Sequence, residues 1–125
     1  MDETTVYERV GGDEFFRQLV GAFYDRVERD EILRPMYPED LTESKRTLEL
    51  FLVQYWGGPR TYLDERGHPR LRMRHAPFRI TKRARDAWLM AMTGALEEVA
   101  GSLDEEVLEE FREYFSMAAT SLRNV

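Results

Sequence analysis

The chain has 125 residues, is 42% hydrophobic and 34% charged, carries a formal net charge of −6 and contains no cysteine. That composition excludes a disordered chain and fits one soluble domain over residues 1–125 with a modest core, while the missing cysteine excludes disulfides and thiolate metal sites. The N-terminus lacks a basic start followed by an apolar run, and no apolar stretch approaches membrane-spanning length, so a cytoplasmic protein is expected.

Four apolar patterns have helical spacing and none alternates as a strand would, so the expected class is all-α. In the first, Phe16, Leu19, Val20, Phe23 and Val27 form a stripe with Tyr24 beside it, opened by Gly11-Gly12 with Asp13 as the expected N-cap. Pro35 and Pro38 then break the chain around Tyr37. In the second, Leu48, Phe51, Leu52 and Tyr55 recur at helical spacing until Gly57-Gly58-Pro59 stops them. Between Gly57 and Thr81 the chain reads as irregular or partly helical, with one short helix from Leu71 to His75, started near Pro69 and stopped by Pro77. In the third pattern, Thr81 is the expected cap of a helix carrying Trp88, Met92, Ala95, Leu96 and Val99, ended by Gly101. In the fourth, Ser102 to Glu105 reads as a capping box. Val107, Phe111, Tyr114, Phe115, Ala118 and Leu122 form the buried face beyond it.

The irregular segment concentrates the unusual chemistry. It holds both histidines, His68 and His75, and residues 60–85 carry nine basic side chains against only Asp64 and Glu65. That is a local net charge of +7 in a chain whose remainder is −13. An acidic body and the absence of any nucleic-acid motif argue against a nucleic-acid partner, and a solvated basic face is the plain reading. His75 lies near Met73, Ala76 and Phe78, with arginines at 72, 74 and 79. As a lone histidine it could simply be a surface or capping residue. An apolar approach with a positive rim also suits one imidazole on a flat, apolar, carboxylated ligand such as haem, whose iron takes a proximal histidine. A zinc site shared with His68 is disfavoured, because Pro69 interrupts the helix between them and no cysteine can complete four ligands. Trp88, Tyr24, Tyr37 and Tyr55 are polar-tipped aromatics: core packing explains such residues, and so would a hydrogen-bonding cage around a pocket. No nucleophile elbow, P-loop or dinucleotide fingerprint is present.

The run FLVQYWGGPRTYLDERGHPRLRMRHAPFRI resembles the centre of group II truncated haemoglobins of the actinobacterial type. VYERVGGDEFFRQLVGAFYDRV and EYFSMAATSLRN fit the same family, so the resemblance covers nearly the whole chain. It implies a shortened globin, a two-on-two helical sandwich enclosing haem, with the first globin helix nearly lost and a long loop before a short proximal helix. The implied cofactor is haem b, its iron held by His75. Arg74, Arg79 and Tyr62 would meet the propionates, and Phe51, Leu71, Phe78, Ile80 and Met92 would supply apolar contacts. On the distal side Tyr24, Tyr37 and Trp88 match the family's hydrogen-bonding residues. Ser44 falls where globins often carry a distal histidine, and Leu48 lies one turn later. The implied function is reversible binding of O₂ and other diatomic ligands, with slow release because hydrogen bonds hold the ligand. The alternatives are a haem enzyme, a peroxidase or nitric oxide dioxygenase served by a separate reductase, and a cofactor-free helical interaction module. Pairing of two copies as a homodimer is left open.

Overall fold

The computed structural model describes residues 4–125, and every regular element among them is helical. In chain order these are α1 (Val6–Arg9), α2 (Asp13–Arg29), a single 3-10 turn (Arg34–Met36), α3 (Thr42–Tyr55), α4 (Thr61–Arg66), α5 (Leu71–His75), α6 (Lys82–Val99) and α7 (Glu105–Leu122). Helix α2 packs on both α3 and α6, α6 packs on α7, and the short α4 and α5 lean on α3 and α7 respectively. The four long helices thus form two pairs joined through α2 and α6.

Helical periodicity decides what is buried. Phe16, Leu19, Phe23 and Val27 of α2 lie on one face and are fully enclosed, as are Met92, Ala95 and Leu96 of α6 and Phe111 of α7. Burying each large apolar side chain contributes roughly 1.5–3 kcal/mol, which makes this face the main stabilising feature of α2. Phe16 meets Phe111 edge-on at a centroid distance of 6.1 Å, and Phe15 stacks on Phe111 at 5.5 Å. On α7 the buried set is Val107, Leu108, Phe111, Tyr114, Phe115 and Ala119, while Ala118 packs against the core only in part and Leu122 is half-buried.

The second apolar pattern behaves differently. Leu52 and Val53 of α3 are buried, but Leu48 and Phe51 are only half-buried and Tyr55 is 49% exposed. Leu48, Phe51 and Tyr55 share one face of α3 by spacing, so that face has an apolar surface the rest of the chain covers only in part.

Two boundaries depart from expectation. Asp13 is the first residue of α2 and not its cap: Gly12, with φ +85°, takes that position, and the Asp13 carboxylate accepts a hydrogen bond from the Tyr7 hydroxyl at 2.8 Å. Asp104, not Ser102, precedes α7, because Ser102 lies in a turn closed by the Leu103 N–H on the Ala100 carbonyl, and no side chain caps the helix. Helices α1 and α4 are additional. Thr81 does cap α6, accepting from the Ala84 N–H at 3.1 Å.

Gly57 and Gly58 are required by contact as well as by turn geometry. Gly57 has φ +102°, and a Cβ there would sit 2.6 Å from the Thr5 Cβ. A Cβ on Gly58 would lie 2.6 Å from a Val53 methyl and 2.7 Å from the Tyr7 ring. The Tyr7 N–H donates to the Trp56 carbonyl at 2.9 Å, so α1 seals the end of α3 over these two glycines.

Candidate haem and ligand site

The proximal part begins with α5. Five residues cannot sustain a helix by themselves, so neighbours must hold this one. Arg70 precedes it with φ +44°, an unusual left-handed conformation for a residue with a side chain, and Pro77 follows it. Inside α5 the His75 Nδ1 lies 2.6 Å from the Leu71 carbonyl oxygen. A carbonyl only accepts, so Nδ1 carries the proton, and Nε2 keeps its lone pair for another partner. This is the orientation a metal-ligating histidine needs, with the second ring nitrogen fixed by a backbone acceptor.

Around His75 the surface is apolar and poorly covered. Leu71 is half-buried and Phe78 is 50% exposed, while Ile80 is buried at the edge of the core. Arg74 turns one amino group back onto the carbonyls of Arg66 and His68, at 2.9 and 3.2 Å, and so braces the loop before α5. Arg79 and His68 are exposed.

The distal part is built by α2, the chain after the 3-10 turn, α3 and α6. The Tyr24 ring, 4% exposed, meets the Tyr37 ring edge-on at 5.6 Å and the Phe23 ring at 5.0 Å. Phe23 in turn touches Trp88 at 5.4 Å, and Trp88 touches Phe115 at 6.0 Å. The Tyr24 hydroxyl donates to the Ser44 carbonyl at a long 3.4 Å, a weak bond that a better acceptor can displace. Burial drives the Tyr24 phenol far above its ordinary range, and the neighbouring Tyr37 adds to the effect. Burial pushes Tyr37 up to about 12, with hydrogen bonding from the Trp88 side chain acting the other way. Both hydroxyls are therefore neutral donors at pH 7. Three donors from three parts of the chain meet in one place, which spacing alone could not reveal.

The donor set is tested by what it could hold. No group of three or more His, Asp or Glu side chains among the described residues could bind a metal ion. One imidazole is a poor site for a free ion but would suffice for an iron that a macrocycle already holds. The partly covered apolar faces of α3 and of the α5 region suit the flanks of such a flat group.

A family profile described as a bacterial-like globin matches residues 5–121. A group 2 truncated haemoglobin of Bacillus subtilis is 48% identical over 82% of this chain and 76% of its own length. The chain belongs to the group II truncated haemoglobins. A thermostable haemoglobin of the actinobacterium Thermobifida fusca has a similar structure, with a TM-score of 0.94 and 50% identity over 98% of each chain. A truncated oxygen-avid haemoglobin from Bacillus subtilis superposes with a TM-score of 0.90 at 42% identity, covering 97% of this chain and 100% of its own. Membership implies haem-based ligand binding.

Against the group II pattern, the remaining expected residues fall in varied settings. Ser44 contributes its carbonyl, not its hydroxyl, to Tyr24. Leu48 is half-buried and packs against the core. Tyr62 is almost fully enclosed, with its ring 5.6 Å from Phe51 and the Arg66 guanidinium 6.0 Å above it. Met92 is completely buried in the helical core. One residue escaped sequence reasoning altogether. Asn124 bonds to the proximal loop 44 to 49 positions earlier, and nothing local in the sequence marks it.

Proposed function

We propose that this truncated haemoglobin binds haem b through His75 Nε2 and reversibly holds O₂, and other diatomic ligands, with slow release. When bound, haem would supply an iron able to take such a ligand. The chain supplies everything that decides how tightly the ligand is kept. His75 is pre-oriented by its Nδ1–H bond to the Leu71 carbonyl. Phe51, Leu71, Phe78, Ile80 and Met92 would provide or back the apolar walls, and Arg74, Arg79 and the region of Tyr62 would meet the propionates. Leu48 and the Ser44 backbone border the ligand space.

The observation that carries the reading is the meeting of Tyr24, Tyr37 and Trp88. A polarised diatomic ligand carries negative charge on its outer atom and draws O–H and N–H donors. Each hydrogen bond to a charged group contributes roughly 1.5–3 kcal/mol, so two slow release by one to several decades. Such retention suits sensing or scavenging better than delivery. The oxygen-avid description of the Bacillus subtilis relative supports the same reading.

Titration of the apoprotein with hemin tests it. An equimolar Soret band is expected for the parent and for His68→Ala, with loss or weak ligation in His75→Ala. Equal loss in both variants, or an unchanged spectrum in His75→Ala, removes His75 from this role.

A further inference from the structure

The segment that would carry haem on its proximal side has few holds of its own. Helix α5 is five residues long, and its principal packing partner is α7. Beyond it, residues 76–79 are exposed and form no regular structure apart from a turn in which the Phe78 N–H donates to the His75 carbonyl at 2.9 Å. A loop of this kind would leave the imidazole free to swing with the backbone beneath it.

Asn124, just past the end of α7, ties that loop at four points. Its side-chain Oδ1 accepts from the Ile80 N–H at 2.9 Å. Its Nδ2 donates to the Phe78 carbonyl at 2.9 Å and, more loosely, to the His75 carbonyl at 3.5 Å. Its own backbone N–H donates to the Ile80 carbonyl at 3.0 Å. One carboxamide thus satisfies a donor and two acceptors on a six-residue stretch that begins at His75. An amide is the side chain with a donor and an acceptor side by side, as this contact requires. Aspartate would keep the acceptor and set a negative charge against the Phe78 and His75 carbonyls.

We propose that Asn124 is a positioning residue for the proximal imidazole: by pinning the His75–Ile80 loop to the end of α7, it fixes the direction of His75 Nε2. This rests on His75 being the haem ligand. The pin acts on the backbone carbonyl of the residue whose ring is itself bonded to the Leu71 carbonyl. Ring and backbone are therefore anchored from opposite ends. The effect belongs to haem retention and to the histidine–iron bond, while the helical core, which Asn124 does not enter, keeps its stability.

The test uses the full chain loaded with hemin, as parent, Asn124→Ala, Asn124→Asp and Arg123→Ala. The Arg123 side chain donates to the Val125 carbonyl, away from the His75–Ile80 loop, and serves as a neighbouring control. Three quantities are read: hemin transfer to excess apomyoglobin, the histidine–iron stretching band of the ferrous form by resonance Raman, and the thermal midpoint of the apoprotein. Both Asn124 variants should lose hemin about tenfold faster, as expected when two or more hydrogen bonds disappear, and their band should shift or broaden. Their apoprotein midpoint should match the parent, and Arg123→Ala should match it throughout. Parent-like transfer and an unchanged band in both Asn124 variants overturn the proposal. Faster loss with an unchanged band and a lowered midpoint also overturns it, because Asn124 is then a plain structural staple. A parent without any histidine–iron band defeats the assignment of His75 itself, and this inference with it.

Discussion

Tyr37 shows what enclosure does to a hydroxyl. Burial raises its pKa from 10.0 to about 12, and the same cause raises that of Tyr24 further. The sign of the consequence follows from which form the fold prefers. The folded chain favours the neutral phenols, so their contribution to stability is fully present below about pH 10 and is lost as pH climbs from 10 toward 12. Ligand release should therefore be flat from about pH 6 to pH 9, because both donors keep their protons. The thermal midpoint should begin to fall above about pH 10, and less steeply in Tyr37→Phe than in the parent. A release rate that tracks a group titrating near pH 7 would show that the tyrosines do not control it. Arg79, proposed above to meet a propionate, offers a contrast. It is exposed, and exposed charge pairs contribute little, so Arg79→Ala should speed hemin loss only about two- to fivefold. Oxygen release should stay at the parent value. A large change in oxygen release with normal hemin retention contradicts a rim role.

Among the elements, α5 was the most legible and α4 the least. Pro69 and Pro77 bracket α5, and the observed helix runs from Leu71 to His75 as the prolines require. Helix α4 has a single turn and a half, with Tyr62 and Leu63 adjacent and three charges after them, so no periodicity could announce it. It is held from outside. Arg46 of α3 grips Glu65 with two bonds of 2.7 Å, and Gln54 accepts from the Leu63 N–H at 2.8 Å. The two cap assignments that failed have a common cause. Asp13 and Ser102 have cap chemistry, but a tertiary bond to Tyr7 in one case and a preceding turn in the other decide where each helix begins. The glycine turn after α3 gives an element-scale prediction. Gly58→Ala puts a methyl group into the Val53 and Tyr7 side chains, and overpacking of this sort costs about 1–3 kcal/mol. Urea unfolding should show a lowered midpoint with an unchanged slope. A variant as stable as the parent would mean that α1 does not press on this turn.

At the scale of the molecule, the all-helical class could be read from four periodic stripes, the two-on-two sandwich came from the family resemblance, and the irregular basic segment could be singled out by composition. Convergence could not. Tyr24, Tyr37 and Trp88 are as much as 64 positions apart, and only the packing of α2 on α6 and the return of the chain after the 3-10 turn bring them together. Asn124 was not singled out for the same reason, since its partners lie in the loop from His75 to Ile80, 44 to 49 positions earlier. The face of Leu48, Phe51 and Tyr55 looked like ordinary core until the structure left it only partly covered. The account stands on the idea that those three distal donors, held in one network, set how slowly a diatomic ligand leaves. Stopped-flow oxygen release from the ferrous haem form tests it directly, with Trp88→Phe, Tyr24→Phe and the double variant beside the parent. The account predicts release about tenfold faster or more in Trp88→Phe, since roughly 1.4 kcal/mol corresponds to one decade. A change in Tyr24→Phe and a double variant that departs from the sum of the two complete the expected pattern, because the groups share partners. Release at the parent rate in both single variants would contradict it.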